Sequence, residues 1–117
     1  MSEHDEQVKV VRWCRSAGKI LFKDLFVYSI PNAAKRGYQS AAWLIAEGLT
    51  AGVPDLCIAT PRGNYGALYI EMKYGKNTLT DDQKRVIPLV SKSGNKCVVC
   101  YSAKEAIAEI EKYLSEA

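Results

Sequence analysis

Two short apolar runs near the centre of the chain, residues 54–60 and 66–73, most strongly limit how it can fold. They read PDLCIAT and GALYIEMK, and the segment PRGNYG that joins them has the proline and glycines typical of a hairpin loop. In a hairpin centred near residue 63, residues at equal distances from the centre lie opposite each other. The pattern therefore predicts an antiparallel pair in which Asp55 and Glu71 lie at the same end, near each other.

The segment after the hairpin predicts a parallel strand beside it. TDDQ at 80–83 fits the capping box that opens a helix, which we expect to reach about Ser93 and to be kinked or shortened by Pro88. KCVVCY at 96–101 is apolar throughout, which is typical of a strand covered on both faces. SAKE at 102–105 opens a final helix. A strand, a helix and a strand in this order indicate a parallel pair with a crossover helix.

The first part of the chain adds helices and a third strand. Apolar residues at helical spacing predict an amphipathic helix over 5–16, ended by Gly18. A β-branched and aromatic run predicts a strand over 23–32, and a short helix is predicted over 38–48. Because 117 residues are enough for one domain and too few for two, we expect a single α/β domain with a mixed sheet over residues 1–117.

Composition excludes a membrane protein and argues against a secreted one. No apolar run approaches the roughly 20 residues of a membrane span, and the acidic start MSEHDEQ does not resemble a signal peptide, so we expect a cytoplasmic protein. The four cysteines are predicted to be free, buried thiols. Cys97 and Cys100, at odd spacing in a strand, should face opposite ways, which argues against a zinc or redox pair. His4, at the terminus, has no predicted role.

Three charged residues of the hairpin could form a catalytic site. Alternation along the second strand places Glu71 and Lys73 on one face and leaves the apolar residues between them for the core. Asp55 and Glu71 would repel each other unless a cation lay between them, and oxygen ligands without histidine or cysteine favour Mg²⁺ or Mn²⁺. Such an ion, with Lys73 stabilising negative charge, suits phosphodiester hydrolysis. The alternative is that these are solvated charges at strand ends.

The order and spacing of several motifs resemble the PD-(D/E)xK nuclease signature, in particular its virus-type replication-repair nuclease (VRR-NUC) branch. The matching segments are GVPDL, LYIEMK and LTDDQ, together with EHDEQVKVVRWC, IPN and AEGLTAGVPDL. Ala33 and Ala34 stand after IPN, where glycines are expected. The resemblance covers residues 3–114. It implies a restriction-endonuclease-like αβββαβ core with a mixed central sheet flanked by helices.

The resemblance also implies roles for particular residues. Asp55 and Glu71 would be metal ligands, with the carbonyl of Met72 as an additional ligand and Lys73 as the catalytic lysine. Gln83 matches the glutamine at the start of the following helix. The alternative for Gln83 is that it only completes the capping box.

Nucleases of this fold often take a further metal-binding acid from the first helix. We expect Glu6 to be this residue, because Val10 and Trp13, one and two turns later, would anchor its face of the helix in the core. Glu3 is the alternative, and a solvated acid favoured by the helix dipole is a third possibility. Glu47 is expected to be a surface charge.

Basic residues in loops and helix starts could contact DNA phosphates. The expected set is Lys35, Arg36, Arg62, Lys76, Lys84 and Arg85. The resulting hypothesis is a Mg²⁺-dependent endonuclease that acts on branched DNA as a homodimer, in the manner of a Holliday-junction resolvase, with no membrane partner and no small-molecule cofactor. Two alternatives stay open: a flap, nick or duplex nuclease module of a larger phage or repair machine, and a non-catalytic DNA-binding scaffold.

Overall fold

The computed structural model describes residues 2–31 and 38–116, without the side chains of 38–41. The helices are α1 (Glu3–Cys14), α2 (Ala17–Leu21), α3 (Tyr38–Ala46), α4 (Asp81–Lys92) and α5 (Ala103–Leu114). The strands are β1 (Val27–Ser29), β2 (Leu56–Ile58), β3 (Leu68–Met72) and β4 (Lys96–Cys100). Within the described residues, no helix has the length and apolarity needed to cross a membrane.

The four strands form one mixed sheet in the order β1-β2-β3-β4. β1 and β2 pair antiparallel, as do β2 and β3, whereas β3 and β4 are parallel and are connected through α4. Leu56 lies opposite Ile70 and Ile58 opposite Leu68, so the predicted hairpin register is confirmed. The observed order of α1, β1, β2, β3, α4 and β4 is the restriction-endonuclease-like αβββαβ arrangement.

The core lies between one face of the sheet and the helices α1 and α5. The side chains of β2 and β3 that point to this face are fully buried, as alternation predicted, and each contributes about 1.5–3 kcal/mol by leaving water. They are Leu56, Ile58, Leu68, Ile70 and Met72, packed with residues of α1 and α5 that include Val10, Ile110 and Tyr113. Glu71 is therefore on the other face, where α4 lies.

The first helix differs from the prediction because Gly18 packs closely instead of ending it. α1 stops at Cys14 and α2 begins at Ala17, so Gly18 is inside a second short helix. A Cβ atom at Gly18 would lie 2.8 Å from Cζ3 of Trp13 and 3.1 Å from Cδ1 of Leu25. The absence of a side chain allows α2 to lie against Trp13. The chain then reaches β1 only at Val27, which makes this strand shorter than predicted.

The last strand has α4 against one face and α5 against the other, as its apolar composition predicted. β4 is an edge strand, and only Cys100 of its five residues is buried. Apolar composition did not distinguish an edge strand with helices against it from a central one. α4 continues through Pro88 to Lys92, so the proline does not shorten it.

All four cysteines are free thiols, as predicted, but Cys97 is half-buried whereas the other three are buried. Cys100 belongs to the core, whereas the Sγ atom of Cys97 lies 3.9 Å from the carbonyl oxygen of Ile87 in α4, so the two thiols are on opposite faces. Burial raises the pKa of Cys100 to about 12 and that of Cys14 to about 11. These thiols are therefore protonated at neutral pH and serve packing.

Candidate active site

Three carboxylates converge at one end of the sheet. Glu3 lies in the first turn of α1, Asp55 immediately precedes β2, and Glu71 is near the end of β3. Each offers an oxygen atom, and these three atoms all lie within 4.8 Å of one another. The hairpin register brings Asp55 to Glu71, and the start of α1 adds Glu3. We call these three residues the acidic cluster.

Asp55 is held in place by the backbone on both sides of β2. Its Oδ2 atom accepts a hydrogen bond from the Met72 N–H at 2.8 Å, and its carbonyl oxygen accepts one from the Ile30 N–H at 2.8 Å. The N–H and C=O of one strand residue point to the same side. The Met72 carbonyl is therefore directed toward the Asp55 side of β3, where the family resemblance implied a ligand.

Glu71 is a buried carboxylate with one satisfied oxygen. Its side chain is about 2% exposed, and its Oε2 atom accepts a hydrogen bond from Nε2 of Gln83 at 2.9 Å and lies 3.8 Å from Nζ of Lys73. Its Oε1 atom is buried and has no hydrogen-bond partner among the described residues. Leaving a buried polar atom unpaired costs about 1–3 kcal/mol, and more for a charged group. Buried polar atoms are rarely left unpaired, so the unpaired Oε1 atom of Glu71 indicates a missing partner.

The pKa of Glu71 is raised to about 8, mainly by burial and also by the nearby Asp55 carboxylate, while Lys73 acts to lower it. A divalent cation would satisfy the unpaired oxygen and remove the repulsion between the carboxylates. The donors of the cluster are all oxygen atoms, which fits a hard ion such as Mg²⁺ or Mn²⁺. The residues present therefore fit a metal site.

Gln83 completes the capping box of α4 and also contacts Glu71. Its Oε1 atom accepts a hydrogen bond from the Thr80 N–H at 2.9 Å, and its N–H donates to Oγ1 of Thr80 at 3.2 Å, which completes the capping box of α4. At the same time its Nε2 donates to Glu71. The start of α4 thus fixes one oxygen of Glu71 and leaves the other directed elsewhere.

Gly52 brings the loop before Asp55 against the start of α4. A Cβ atom at Gly52 would clash with the carbonyl oxygen of Asp82, and the residue has a φ of +97°. We expect Gly52→Ala to combine backbone strain of about 1–3 kcal/mol with an overpacking cost of similar size. Urea denaturation should show a loss clearly larger than for Gly48→Ala, because Gly48 has a similar φ of +114° but no atom within 4 Å of its Cβ position. Equal losses would contradict the close approach.

The structure corrects the choice of acid from the first helix. Glu6 is buried away from the acidic cluster: its Oε1 atom accepts a hydrogen bond from the Ala103 N–H at 3.0 Å, and its Oε2 atom accepts one from Lys9 at 3.0 Å. Glu6 therefore caps the start of α5, and these contacts hold its pKa below the usual value. Glu3, the alternative, is the acid that lies with Asp55 and Glu71. His4 and Glu47 are exposed, as expected for residues outside the cluster.

The basic residues expected to contact DNA have different surroundings. Lys35 and Arg36 lie outside the described residues. Lys76 is exposed in the segment after β3, and Lys84 is exposed beside Gln83 in α4. Arg85 is also exposed, with its guanidinium 2.7 Å from Asp82.

Arg62 is part of the fold's internal bonding. Its guanidinium donates to both carboxylate oxygens of Asp24, at 2.9 and 2.8 Å, and its Nε donates to the carbonyl of Leu114 at 3.0 Å. It lies in the hairpin loop, at the end of the sheet opposite the acidic cluster. The structure therefore gives Arg62 a role in joining this loop to α5.

The raised pKa of Glu71 predicts how the stability of the metal-free protein depends on pH. The ordinary pKa of a glutamate, 4.5, rises to about 8 at Glu71 in the fold, so the folded state binds the proton more tightly than the unfolded state. The free energy of unfolding should therefore fall as pH rises from about 4.5 to about 8, by an amount on the order of a few kcal/mol. Urea denaturation in EDTA at several pH values measures this loss, and Glu71→Gln should abolish the Glu71 contribution. Identical pH responses of the two proteins would refute the prediction.

The chain matches a known protein family. The family model of the VRR-NUC domain matches residues 2–104, which include the acidic cluster, Lys73 and Gln83. The chain belongs to the VRR-NUC family. As a VRR-NUC protein it is a nuclease of the PD-(D/E)xK type, as the sequence motifs predicted.

A solved structure described as a VRR_NUC domain protein has the same fold. It is 27% identical in sequence, the match covers 99% of this VRR-NUC chain and 92% of the other, and the TM-score is 0.79. None of the curated proteins compared with the chain matches it.

Proposed function

We propose that this VRR-NUC protein is a Mg²⁺-dependent DNA endonuclease that hydrolyses phosphodiester bonds and selects branched DNA by its shape. The observation that supports it best is the unpaired Oε1 atom of the buried Glu71, which lies in a cluster with two other carboxylates. Mn²⁺ is an alternative ion. The catalytic and metal-binding residues carried from the sequence stay in this proposal, with Glu3 in place of Glu6.

In this proposal each side chain has a separate task. Asp55, Glu71 and Glu3 hold the ion through carboxylate oxygens, with the Met72 carbonyl as a further donor. The chemistry that a bound divalent ion supplies is polarisation of a phosphate oxygen and a lower pKa for a bound water. Lys73 is buried beside Glu71, so its ammonium group is fixed where it can stabilise negative charge that develops on the phosphate. Gln83 positions Glu71 by hydrogen bonding.

Selection of branched DNA is supported by what surrounds the site. The described residues contain one small sheet and its helices, with no separate module for reading base sequence.

Cutting two strands symmetrically requires two active sites, so we propose a homodimer with two-fold symmetry. The side chain of Trp43 on α3 is 75% exposed and lines an apolar surface groove together with Ala42 and Ala46, and exposed apolar patches are typical of protein interfaces.

The test is cleavage of labelled four-way junction, flap, nicked and linear duplex DNA, with Mg²⁺, with Mn²⁺ and with EDTA. Symmetric, metal-dependent cutting of the junction by a protein of dimeric native mass is expected. Cutting only flaps, nicks or duplex would keep the nuclease and replace the substrate. If no DNA is cut with either metal although DNA is bound, the proposed activity is wrong and the non-catalytic scaffold remains.

A further inference from the structure

A polar groove runs along α1 from the acidic cluster. Its volume is about 410 Å³, and it lies between α1 and the edge strand β1. The residues of its walls that matter here are Glu3, His4, Arg12, Arg15, Tyr28 and Ser29. Glu3 is a member of the acidic cluster, so one end of the groove opens at the proposed metal site. We call it the α1–β1 groove.

Two arginines give the far part of the groove a positive charge. Arg12 and Arg15 are both exposed, and neither guanidinium has an acidic or hydrogen-bonding partner within the described parts of the chain. At 1.5 Å per residue, they lie roughly 14 and 18 Å from Glu3 along the helix. Arg62 and Arg85, in contrast, already pair with Asp24 and Asp82. Arg12 and Arg15 therefore have their full capacity to bind anions.

The opposite wall of the groove offers neutral hydrogen-bond donors. The Ile30 N–H donates to the Asp55 carbonyl, and the Ala59 N–H donates to the Phe26 carbonyl, so every second residue of this segment is bonded to β2. By the alternation of an antiparallel pair, the N–H group of Ser29, which lines the groove, points to the free edge of the sheet. Backbone N–H and serine hydroxyl groups are common phosphate contacts, as are arginines.

We propose that the α1–β1 groove binds the phosphodiester backbone of one DNA strand and leads it to the acidic cluster. This inference rests on the proposed function for its ligand. The groove combines what such a strand requires: two arginines without a partner among the described residues on one wall, neutral donors on the other, and Glu3 of the acidic cluster at one end. In this proposal Arg12 and Arg15 bind phosphate groups, a role that no sequence motif indicated for them.

The test measures binding without cleavage. A fluorescein-labelled duplex with a single-stranded arm is titrated with protein in EDTA, between about 50 and about 200 mM salt, and the slope of log K against log salt is determined. Arg12→Gln and Arg15→Gln should each reduce this slope by about 1, and the double variant by about 2. Lys112→Gln is the control. It removes an exposed charge from the last turn of α5, near Leu114 and the far end of the sheet, and should leave the slope unchanged.

Chemical modification locates the contact independently. Phenylglyoxal modification, followed by mass spectrometry, should be slowed at Arg12 and Arg15 by bound DNA. An unchanged salt slope in the double variant, or no protection of either arginine, would show that the groove does not bind the DNA backbone, even if the wild type cuts DNA. If the wild type cuts no DNA but the slope falls and both arginines are protected, the groove stands and the nuclease proposal fails. The two proposals are therefore tested separately.

Discussion

Glu71→Gln is expected to reduce metal-dependent cleavage by about 10³-fold or more, because the substitution removes the charge at the centre of the acidic cluster. The amide can still accept the hydrogen bond from Gln83 through its oxygen, so the fold around the site should persist. Metal binding should be lost together with cleavage. At 100 times its dissociation constant, Mg²⁺ should stabilise the wild type by about 2.7 kcal/mol and should stabilise the variant much less. Single-turnover cleavage and thermal unfolding with and without Mg²⁺ measure both effects.

Glu111→Gln provides the control for this experiment. Glu111 is an exposed acid of α5, so its substitution makes the same chemical change outside the acidic cluster. It should alter neither cleavage nor the stabilisation by Mg²⁺. If Glu71→Gln retained the Mg²⁺ effect on unfolding, the ion would have to bind elsewhere, and the assignment of the cluster as the metal site would be wrong.

Lys73→Met is expected to lower kcat by about 10²–10³-fold while leaving the stabilisation by Mg²⁺ in place. Methionine keeps much of the length of the buried side chain but cannot stabilise negative charge. Lys73 donates no oxygen to a metal, so binding of the ion does not depend on it directly. Its ammonium group does lower the pKa of Glu71, so the variant should require a higher pH for the same metal affinity. Cleavage rates and Mg²⁺ titrations at two pH values distinguish the two effects.

Lys92→Met is the matching control, since Lys92 is exposed in the last turn of α4, away from its capping box. Its kcat should equal that of the wild type. A Lys73 variant that bound Mg²⁺ poorly at every pH would assign the lysine to the integrity of the site, and its proposed part in the chemical step would have to be abandoned.

The hairpin and the position of Asp55 could be predicted because two local rules act together. The side-chain period of a strand is two residues, and a turn centred near residue 63 determines which residues are opposite. A shift of one residue would move Leu68, Ile70 and Met72 out of the core, so the apolar pattern permits only one register. The capping box at Gln83 is equally local, since it depends on four consecutive residues.

The choice between Glu3 and Glu6 could not be made from the sequence, because it depends on the packing of distant elements. The two acids are three residues apart, so both lie near one face of α1. Their roles differ because Glu6 accepts a hydrogen bond from the N–H of Ala103 at the start of α5, which has no partner within its own helix. Arg62 shows the same difficulty, since its partner Asp24 lies 38 residues away and no local pattern relates them.

The cap that Glu6 places on α5 also has a consequence for the order in which the site is assembled. It joins positions 97 residues apart, and closing so long a loop is a slow, non-local step of folding. Val10 and Cys14 of α1 pack in the same core as Ile110 of α5, so α1 gains its final support only when the last helix arrives. During synthesis the hairpin can form first, while Glu3 still lacks its anchor. We therefore expect a chain emerging from the ribosome to become a competent nuclease only once α5 has been made.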